Sequence, residues 1–277
     1  VMLSQTTSGV WRLAYRVITL GSNNVSERSL RIDERLGYFI TLIGIPSAFL
    51  LHGYVGFIFG SVKANPWWSS PLMPIVFVFS AMVSGIAAVM LLYMLTTRLR
   101  GQTIDMRCLD KIGQYLMYTF IIDFSLEMLD LLQRIYEADE SFRSLDFMVH
   151  TRLWTSQVII QILLGTVTPI ALLGSMQVLK LTDTARRRIY ASAGCLTVIG
   201  IFAMRWNVVI GGQLFSKSFL GYTTYKMAFA TREGLLPAII LMILPFFILW
   251  FLVKLLPPWP ESASLPGSGS APAHGTS

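Results

Sequence analysis

The sequence has few residues of the kinds that bind metals. It contains two cysteines and three histidines among 277 residues. An iron–sulfur cluster requires four such ligands, so the chain cannot hold one alone. His150 lies in a predicted loop and His274 in the C-terminal tail, which excludes a bis-histidine haem held by this chain. We therefore expect no metal or haem bound by this chain alone, and any redox metal centre must belong to a partner subunit.

Charged residues are also scarce, at 13% of the chain, whereas hydrophobic residues make up 54% and the mean hydropathy is +0.60. This composition is typical of an integral membrane protein. About 20 mainly apolar residues cross a bilayer as a helix, and long unbroken apolar runs lack the alternation of a membrane β-barrel. The predicted fold class is therefore all-α, a polytopic transmembrane bundle of six helices at residues 36–59, 72–95, 108–133, 153–179, 189–213 and 236–256.

Lysine and arginine are concentrated in alternate loops, and this predicts the orientation. Basic residues cluster before helix one, after helix two and after helix four. Because basic loops stay on the cytoplasmic side, both termini are predicted to be cytoplasmic. The net charge of +7 then reflects orientation, and without a compact basic patch with aromatics we expect no nucleic-acid binding. Cys108 and Cys195 fall near the inner helix ends, so no disulfide is expected.

Helix three is the least apolar span and carries Asp123, Glu127 and Asp130. Their i, i+4, i+7 spacing places them on one helix face, and carboxylates at membrane depth do not face lipid. Helix five offers one cation, Arg205, at a depth similar to that of Glu127. Two interpretations stay open: an Arg205–Glu127 pair that fastens two helices, or a proton path that includes Arg205 and runs from Asp123 to the outer surface at Asp130, continued by Gln161.

His52 lies inside the first predicted span. Ionisable groups at membrane depth are costly and are kept mainly for function. A neutral imidazole can donate a hydrogen bond to a quinone carbonyl or accept a proton from a quinol hydroxyl, and Gly53 and Gly56 leave room for a flat ring. The alternative is a histidine hydrogen-bonded within the bundle for packing.

Other polar and aromatic residues are interpreted mainly as architecture. Ser80 and Ser84, four residues apart in helix two, allow another helix to approach closely. Trp67 and Trp68 fit the aromatic belt of the outer interface. Asp110, at the inner end of helix three, is either an entrance to the proton path or a solvated residue at a helix mouth.

Three stretches of the sequence resemble one protein family. They are residues 45–57, which contain Leu-His-Gly-Tyr-Val-Gly-Phe, residues 65–72, Asn-Pro-Trp-Trp-Ser-Ser-Pro-Leu, and residues 205–213, Arg-Trp-Asn-Val-Val-Ile-Gly-Gly-Gln. Together they resemble the NrfD/PsrC family of membrane subunits (polysulfide reductase NrfD), with its HybB-like and DsrP-like branch nearest. The resemblance covers nearly all of residues 36–256.

This resemblance implies about ten transmembrane helices in two four-helix bundles, of which the six here correspond to the last six. Residues 36–59 then close a first bundle mostly absent from the sequence, and its other helices come from another polypeptide or from a longer sequence of which this is part. Residues 72–213 form the second bundle, and 236–256 are a peripheral helix. Residues 1–35 are interpreted as a basic cytoplasmic lead-in and 257–277 as a disordered tail.

The resemblance also implies the function, a quinol- or quinone-interacting subunit of a respiratory oxidoreductase complex in a bacterial or archaeal cytoplasmic membrane. His52 falls on the family's quinone-associated histidine, and with Gly53 and Tyr54 it is expected to contact menaquinone or ubiquinone. Ile58 stands where some relatives have an aspartate, so any proton acceptor paired with His52 must come from elsewhere.

The expected partner is a ferredoxin-like iron–sulfur subunit on the outer face, with cytochrome c, molybdopterin or hydrogenase subunits and membrane lipid as further partners. Whether the chain is itself an enzyme stays open. So do two other classes of function. One is an ion or solute transporter, supported by the buried charges but not by matched broken helices or a repeat. The other is a non-catalytic membrane anchor of a redox complex.

Overall fold

The structure, a computed structural model, describes residues 27–65, 67–136, 153–179, 181–214 and 234–255, with residues 146, 149–151, 229 and 231. Helices make up 87% of what is described, and no strand occurs in that part of the chain. The all-α fold class is confirmed. The predicted tail and residues 1–26 of the predicted lead-in lie outside the described residues. The chain divides into two compact units, Val1–Thr223 and Thr224–Ser277.

The helices of the first unit follow the predicted order, but two of them contain π-helical turns. In chain order they are α1 (Glu27–Gly60), α2 (Met73–Leu99), α3 (Met106–Tyr136), the π-helix π1 (Trp154–Val167) continued by α4 (Thr168–Val178), and α5 (Asp183–Trp206) continued by the short π-helix π2 (Asn207–Gly211). Helix α1 therefore extends into the predicted lead-in, because hydropathy detects the part of a helix that suits lipid and misses its polar extension.

Five segments are long and apolar enough to cross a membrane, namely Arg31–Gly60, Met73–Leu99, Trp154–Val178, Asp183–Gly211 and Leu235–Val253. The chain is therefore a multi-pass membrane protein. Helix α3 is long enough, at 31 residues, but it is more polar than these five. The predicted total of six spans and the cytoplasmic position of both termini stay predictions.

The core of the first unit lies between α2, α3, α4 and α5. Val83 and Met90 of α2 pack with Leu116 and Phe120 of α3 and Leu173 of α4, and all five side chains are fully buried. This apolar layer occupies the half of the bundle that the basic loops predict to be cytoplasmic.

Glycines set the closest helix contacts. Gly165 of π1 lies against Gly200 of α5, where a Cβ on either residue would overlap the other backbone. Gly56 of α1 lies against α2, and a Cβ there would approach the Cα of Pro74 to 2.6 Å. Small residues thus let these helices cross at backbone distance, as in many membrane bundles.

The second unit contains α6 (Leu235–Leu255), which has Pro245 in its interior. Its apolar window has no side chain buried within the structure. That exposure is what lipid requires of a spanning helix.

Candidate functional site

The structure brings two of the three carboxylates of α3, those of Asp123 and Glu127, close to Arg205. Asp123 is 2% exposed, and Glu127 and Asp130 are half-buried on the same helix face. Glu127 lies within electrostatic range of Asp123, Asp130 and Arg205. The i, i+4, i+7 spacing therefore predicted side chains that do lie together on one face of α3. We call Asp123, Glu127 and Asp130 the acidic cluster.

Arg205 itself is attached to α2 rather than to the acidic cluster. Its Nη2 donates hydrogen bonds to the Phe77 carbonyl oxygen at 2.9 Å and to Ser80 Oγ at 2.7 Å. Its Cζ stacks 3.8 Å from the centroid of the Phe77 ring. Within the described part of the chain, no ion pair at 4.0 Å or less joins Arg205 to Glu127. The predicted helix-fastening pair is thus replaced by an Arg205 contact that fastens α5 to α2.

A cavity of about 250 Å³ lies beside the acidic cluster. Its polar lining consists of Glu127, Asp130, Asp146, Gln157, Gln161 and Asn207. Its apolar lining comes mainly from methionine, valine and tryptophan side chains of α2, α3 and α5 and of the loop before α2. Three predicted path residues therefore line one cavity, together with three polar residues, Asp146, Gln157 and Asn207, that were not predicted from the sequence.

Asn207 and Gln161 connect the two π-helices inside this cavity. Asn207 Nδ2 donates to Gln161 Oε1 at 2.9 Å, and both side chains are buried. Oδ1 of Asn207 and Oε1 of Gln157 are buried without a hydrogen-bond partner among the described residues, as is Oδ1 of Asp123. All three atoms are acceptors. Two of these residues, Asn207 and Gln157, line the cavity, so its wall includes oxygen acceptors that a ligand can use.

The loop between α1 and α2 holds the end of α5 and π2 in place. Trp67 Nε1 donates to the Asn207 carbonyl oxygen at 2.9 Å, Trp68 Nε1 to the Val208 carbonyl oxygen at 2.6 Å, and Asn65 Nδ2 to the Gly212 carbonyl oxygen at 2.9 Å. The indole N–H groups of Trp67 and Trp68 thus donate hydrogen bonds within the protein. The interpretation of these residues as a membrane-interface belt does not predict such contacts. Residues of the 65–72 stretch therefore contact residues of the 205–213 stretch directly.

The same loop contacts the acidic cluster. Ser70 is 3% exposed, and its hydroxyl donates a hydrogen bond to Oδ1 of Asp130. It also accepts a bond from the Leu72 backbone N–H at 3.2 Å. Asp130 is therefore positioned by the segment predicted to lie on the outer side of the membrane.

His52 lies elsewhere, on an exposed part of α1, and does not line the cavity. Its Nδ1 is 2.9 Å from the Ala48 carbonyl oxygen. Since a carbonyl accepts, Nδ1 carries the proton of the neutral ring, and Nε2 is left as an acceptor. A Cβ on Gly53 would lie 3.6 Å from Val78 of α2. Tyr54 is 62% exposed, about 160° around the helix from His52.

The space at Gly56 that sequence reasoning assigned to a quinone ring is filled by α2. A Cβ there would lie 2.6 Å from the Cα of Pro74 and 2.7 Å from the Met73 carbonyl oxygen. Gly56 is therefore explained by helix packing. His52, one turn earlier on α1, is itself exposed.

A second polar cluster lies at the opposite end of the bundle. Asp110 forms an ion pair with Arg186 and accepts a hydrogen bond from the Tyr190 hydroxyl at 3.0 Å. On α3, the fully buried Leu116 and Phe120 stand between Asp110 and Asp123. Among the described residues, Asp110 is therefore separated from the acidic cluster by the apolar core, and its contacts make it a structural link between α3 and α5.

Comparison with known proteins supports the family resemblance that these sequence stretches indicate. The family model described as "Polysulphide reductase, NrfD" matches residues 11–217, which is more than half of the chain. The C subunit of the selenate reductase of Mesobacillus selenatarsenatis is 29% identical over 215 residues, covering 75% of this chain and 48% of that protein. A Halobacterium salinarum protein, provisionally named as the membrane C subunit of a dimethyl sulfoxide reductase, is 31% identical over 84 residues, or 30% of this chain and 19% of that protein.

The first of these relatives extends well beyond the matched region, since the chain spans about half of its length. No solved structure matches the chain significantly. The fold described above therefore rests on the chain's own helices and contacts.

Proposed function

The chain belongs to the NrfD family, and from this premise we propose that it is a quinol- or quinone-interacting membrane subunit of a respiratory oxidoreductase complex. The names of the two relatives, both C subunits of reductases for selenate or dimethyl sulfoxide, support a redox complex of several subunits. The proposed electron partner is an iron–sulfur subunit on the outer face of a bacterial or archaeal cytoplasmic membrane. The metal centres belong to partner subunits, and this chain contributes to the quinone site.

The observation that carries this proposal is the exposed imidazole of His52 within the first span. Its Nδ1–H is engaged by the Ala48 carbonyl oxygen at 2.9 Å, so Nε2 is the acceptor presented to a ligand. Oxidation of a quinol releases two protons and two electrons. Nε2 can accept one of those protons and the other leaves to water at the outer face, while both electrons pass to the partner subunit. The described bundle does not enclose His52, so the remaining walls of the quinone site come from outside these residues.

The second part of the proposal concerns protons. Asp123, Glu127, Asp130 and Gln161, with Arg205 close by, provide groups that can exchange protons with the outer side. The cavity beside them supports this role, because carboxylates inside a membrane protein usually face water-filled space or each other. Among the described residues, the apolar layer of Leu116 and Phe120 leaves the path without a continuation to Asp110.

The test of the quinone site is the binding of a fluorescent quinol-site inhibitor to the purified assembly. We compare the wild type with His52→Ala and with His150→Ala, a matched control whose histidine is also exposed but lies outside the first span. We expect His52→Ala to weaken binding about tenfold or more, which is roughly 1.4 kcal/mol, while the assembly keeps all its subunits. Unchanged affinity would contradict a role for His52 in quinone binding and favour the membrane-anchor alternative.

Purification distinguishes the transporter alternative from a subunit of a redox complex. A subunit of a redox complex co-purifies with a cluster-bearing partner. A transporter is instead isolated alone and binds a solute in the absence of any redox partner.

A further inference from the structure

The cavity beside the acidic cluster has the properties of a ligand site in its own right. Asn207 is 1% exposed, lines the cavity, and has a buried Oδ1 with no hydrogen-bond partner among the described residues. Gln157 lines the same cavity and has a buried Oε1 in the same state. An acceptor buried without a donor costs about 1–3 kcal/mol. Two such acceptors at one cavity indicate a ligand that supplies donors or positive charge.

The charges around the cavity point to the same kind of ligand. Glu127 lines the cavity and makes no ion pair at 4.0 Å or less with another described residue. Asp130 and Asp146 also line it, but Asp130 is bonded to Ser70 and Asp146 pairs with His150 at 3.2 Å. The described guanidinium within electrostatic range of Glu127 is that of Arg205, whose Nη2 hydrogen bonds go to α2. The carboxylate of Glu127 can therefore be balanced by a bound cation or a bound proton.

The ligand atoms available at the cavity indicate which class of cation it can bind. Among the described residues, no group of three His, Cys, Asp or Glu side chains is arranged to hold a metal ion. Divalent transition metals bind mainly through such ligands. Amide oxygens, a carboxylate and water are oxygen ligands that Ca²⁺ and Mg²⁺ also take, but the single carboxylate of Glu127 balances only one positive charge, which favours a small monovalent cation. Irregular helix turns such as π1 and π2 are frequent at functional sites.

The geometry also gives the side from which a ligand arrives. Asp130 at the cavity wall is bonded to Ser70, in the loop predicted to lie on the outer side, whereas Phe120 and Leu116 separate Asp123 from the inner end. A cation can therefore reach the cavity from the outer side, and the described core offers it no polar exit on the inner side.

We propose that this cavity is an outward-facing binding site for a small monovalent cation, Na⁺ or hydronium, coordinated by Glu127, Asn207 Oδ1 and Gln157 Oε1. The inference deepens the proton-path part of the proposed function and is independent of His52. The site loads from the outer face and ends at Asp123.

The test uses the purified assembly in lipid nanodiscs, with Na⁺ replaced by choline at constant ionic strength. We compare wild type with Glu127→Gln and Asn207→Leu, and with Asp183→Asn, an exposed carboxylate at the start of α5, as the matched control. If the ligand is Na⁺, thermal unfolding shifts saturably upward with Na⁺. The half-saturating concentration then rises about tenfold or more in both cavity variants but not in the control.

If the ligand is hydronium, Na⁺ has no effect, and infrared difference spectra between low and high pH report on it instead. The wild type then shows a protonated-carboxyl band that disappears in Glu127→Gln and shifts in Asn207→Leu. Neither a saturable Na⁺ effect nor a band sensitive to both variants overturns the proposal. Inhibitor binding at the quinone site is measured on the same samples. A failure of the proposed cation site can then be distinguished from a failure of the quinone assignment.

Discussion

The side chain of Asn207 donates a hydrogen bond from Nδ2 to Oε1 of Gln161 over 2.9 Å, and this contact joins π2 to π1 inside the protein. Both side chains are buried, at 1% and 8% exposure. A polar contact in an apolar bundle fixes how two helices are set against each other, because any slip leaves a donor or acceptor unsatisfied. The polar wall of the cavity is therefore positioned by this pair.

We predict that Gln161→Leu destabilises the protein by about 1–3 kcal/mol, because the buried Nδ2 of Asn207 loses its acceptor. Gln177→Leu is the matched control, since Gln177 is exposed near the end of α4. Denaturant unfolding in detergent gives the free energy of unfolding of each variant. Equal losses in the two variants would contradict the assignment.

Ser80→Ala should also be destabilising, by about 1.5–3 kcal/mol, because a hydrogen bond from a charged group is lost in a buried setting. Ser80 Oγ accepts from Arg205 at 2.7 Å, whereas Ser84 Oγ bonds the Ala81 carbonyl of its own helix at 3.1 Å. Ser84→Ala is therefore expected to have a much smaller effect. Unfolding of the two variants under the same conditions checks this difference, and a Ser84 effect as large as that of Ser80 would count against a special role for the Arg205 contact.

Sequence pattern was sufficient for the acidic cluster because helical spacing alone places Asp123, Glu127 and Asp130 on one face. It also indicated the membrane class and the order of the helices. These features depend on residues close together in the chain, or on composition.

The contacts of Asn207, Ser80 and Trp68 could not be predicted in the same way. Each depends on how helices distant in sequence cross, and on π-helical turns that no local pattern in this chain announced. The signal that was present is the polar Asn207 inside an apolar run, which must find partners in a membrane. Ser80 was assigned to close packing because a serine serves both purposes and the sequence does not show Arg205 opposite it.

Gly212→Ala is predicted to disrupt the contact between the α1–α2 loop and π2. A Cβ at Gly212 would overlap the indole of Trp68, whose Nε1 bonds the Val208 carbonyl oxygen at 2.6 Å. Overpacking of this kind costs about 1–3 kcal/mol. In Gly174→Ala the new Cβ meets nothing within 4 Å, so this control should be neutral or more stable, by up to about 1 kcal/mol.

The readout for the glycine pair is thermal unfolding together with tryptophan fluorescence, which reports on the indoles over π2. We expect a lower midpoint and an altered emission maximum for Gly212→Ala only. An unchanged emission maximum with a lower midpoint would show that the loop stays in place and that the strain is taken up elsewhere.

Tyr190→Phe tests whether the inner polar cluster is structural. The Tyr190 hydroxyl donates to Asp110 at 3.0 Å, and Asp110 also pairs with Arg186. Because Asp110 is partly exposed, water can replace the lost donor, and we expect a loss of about 1 kcal/mol in the free energy of unfolding. Tyr115→Phe is the matched control, with a tyrosine on α3 that is 64% exposed and should have little effect.

The Tyr190→Phe variant also distinguishes two roles of Asp110, a structural link between α3 and α5 and an entrance for protons. If Asp110 fastens α3 to α5, Tyr190→Phe lowers stability while the rate of quinol-dependent turnover at saturating quinol stays within about twofold of the wild type. If Asp110 feeds protons to the acidic cluster, loss of its hydroxyl donor changes that rate and its dependence on the inner pH in proteoliposomes. The fully buried Phe120 and Leu116 between Asp110 and Asp123 are the reason to expect the first outcome, because a proton cannot be handed across side chains that neither donate nor accept hydrogen bonds.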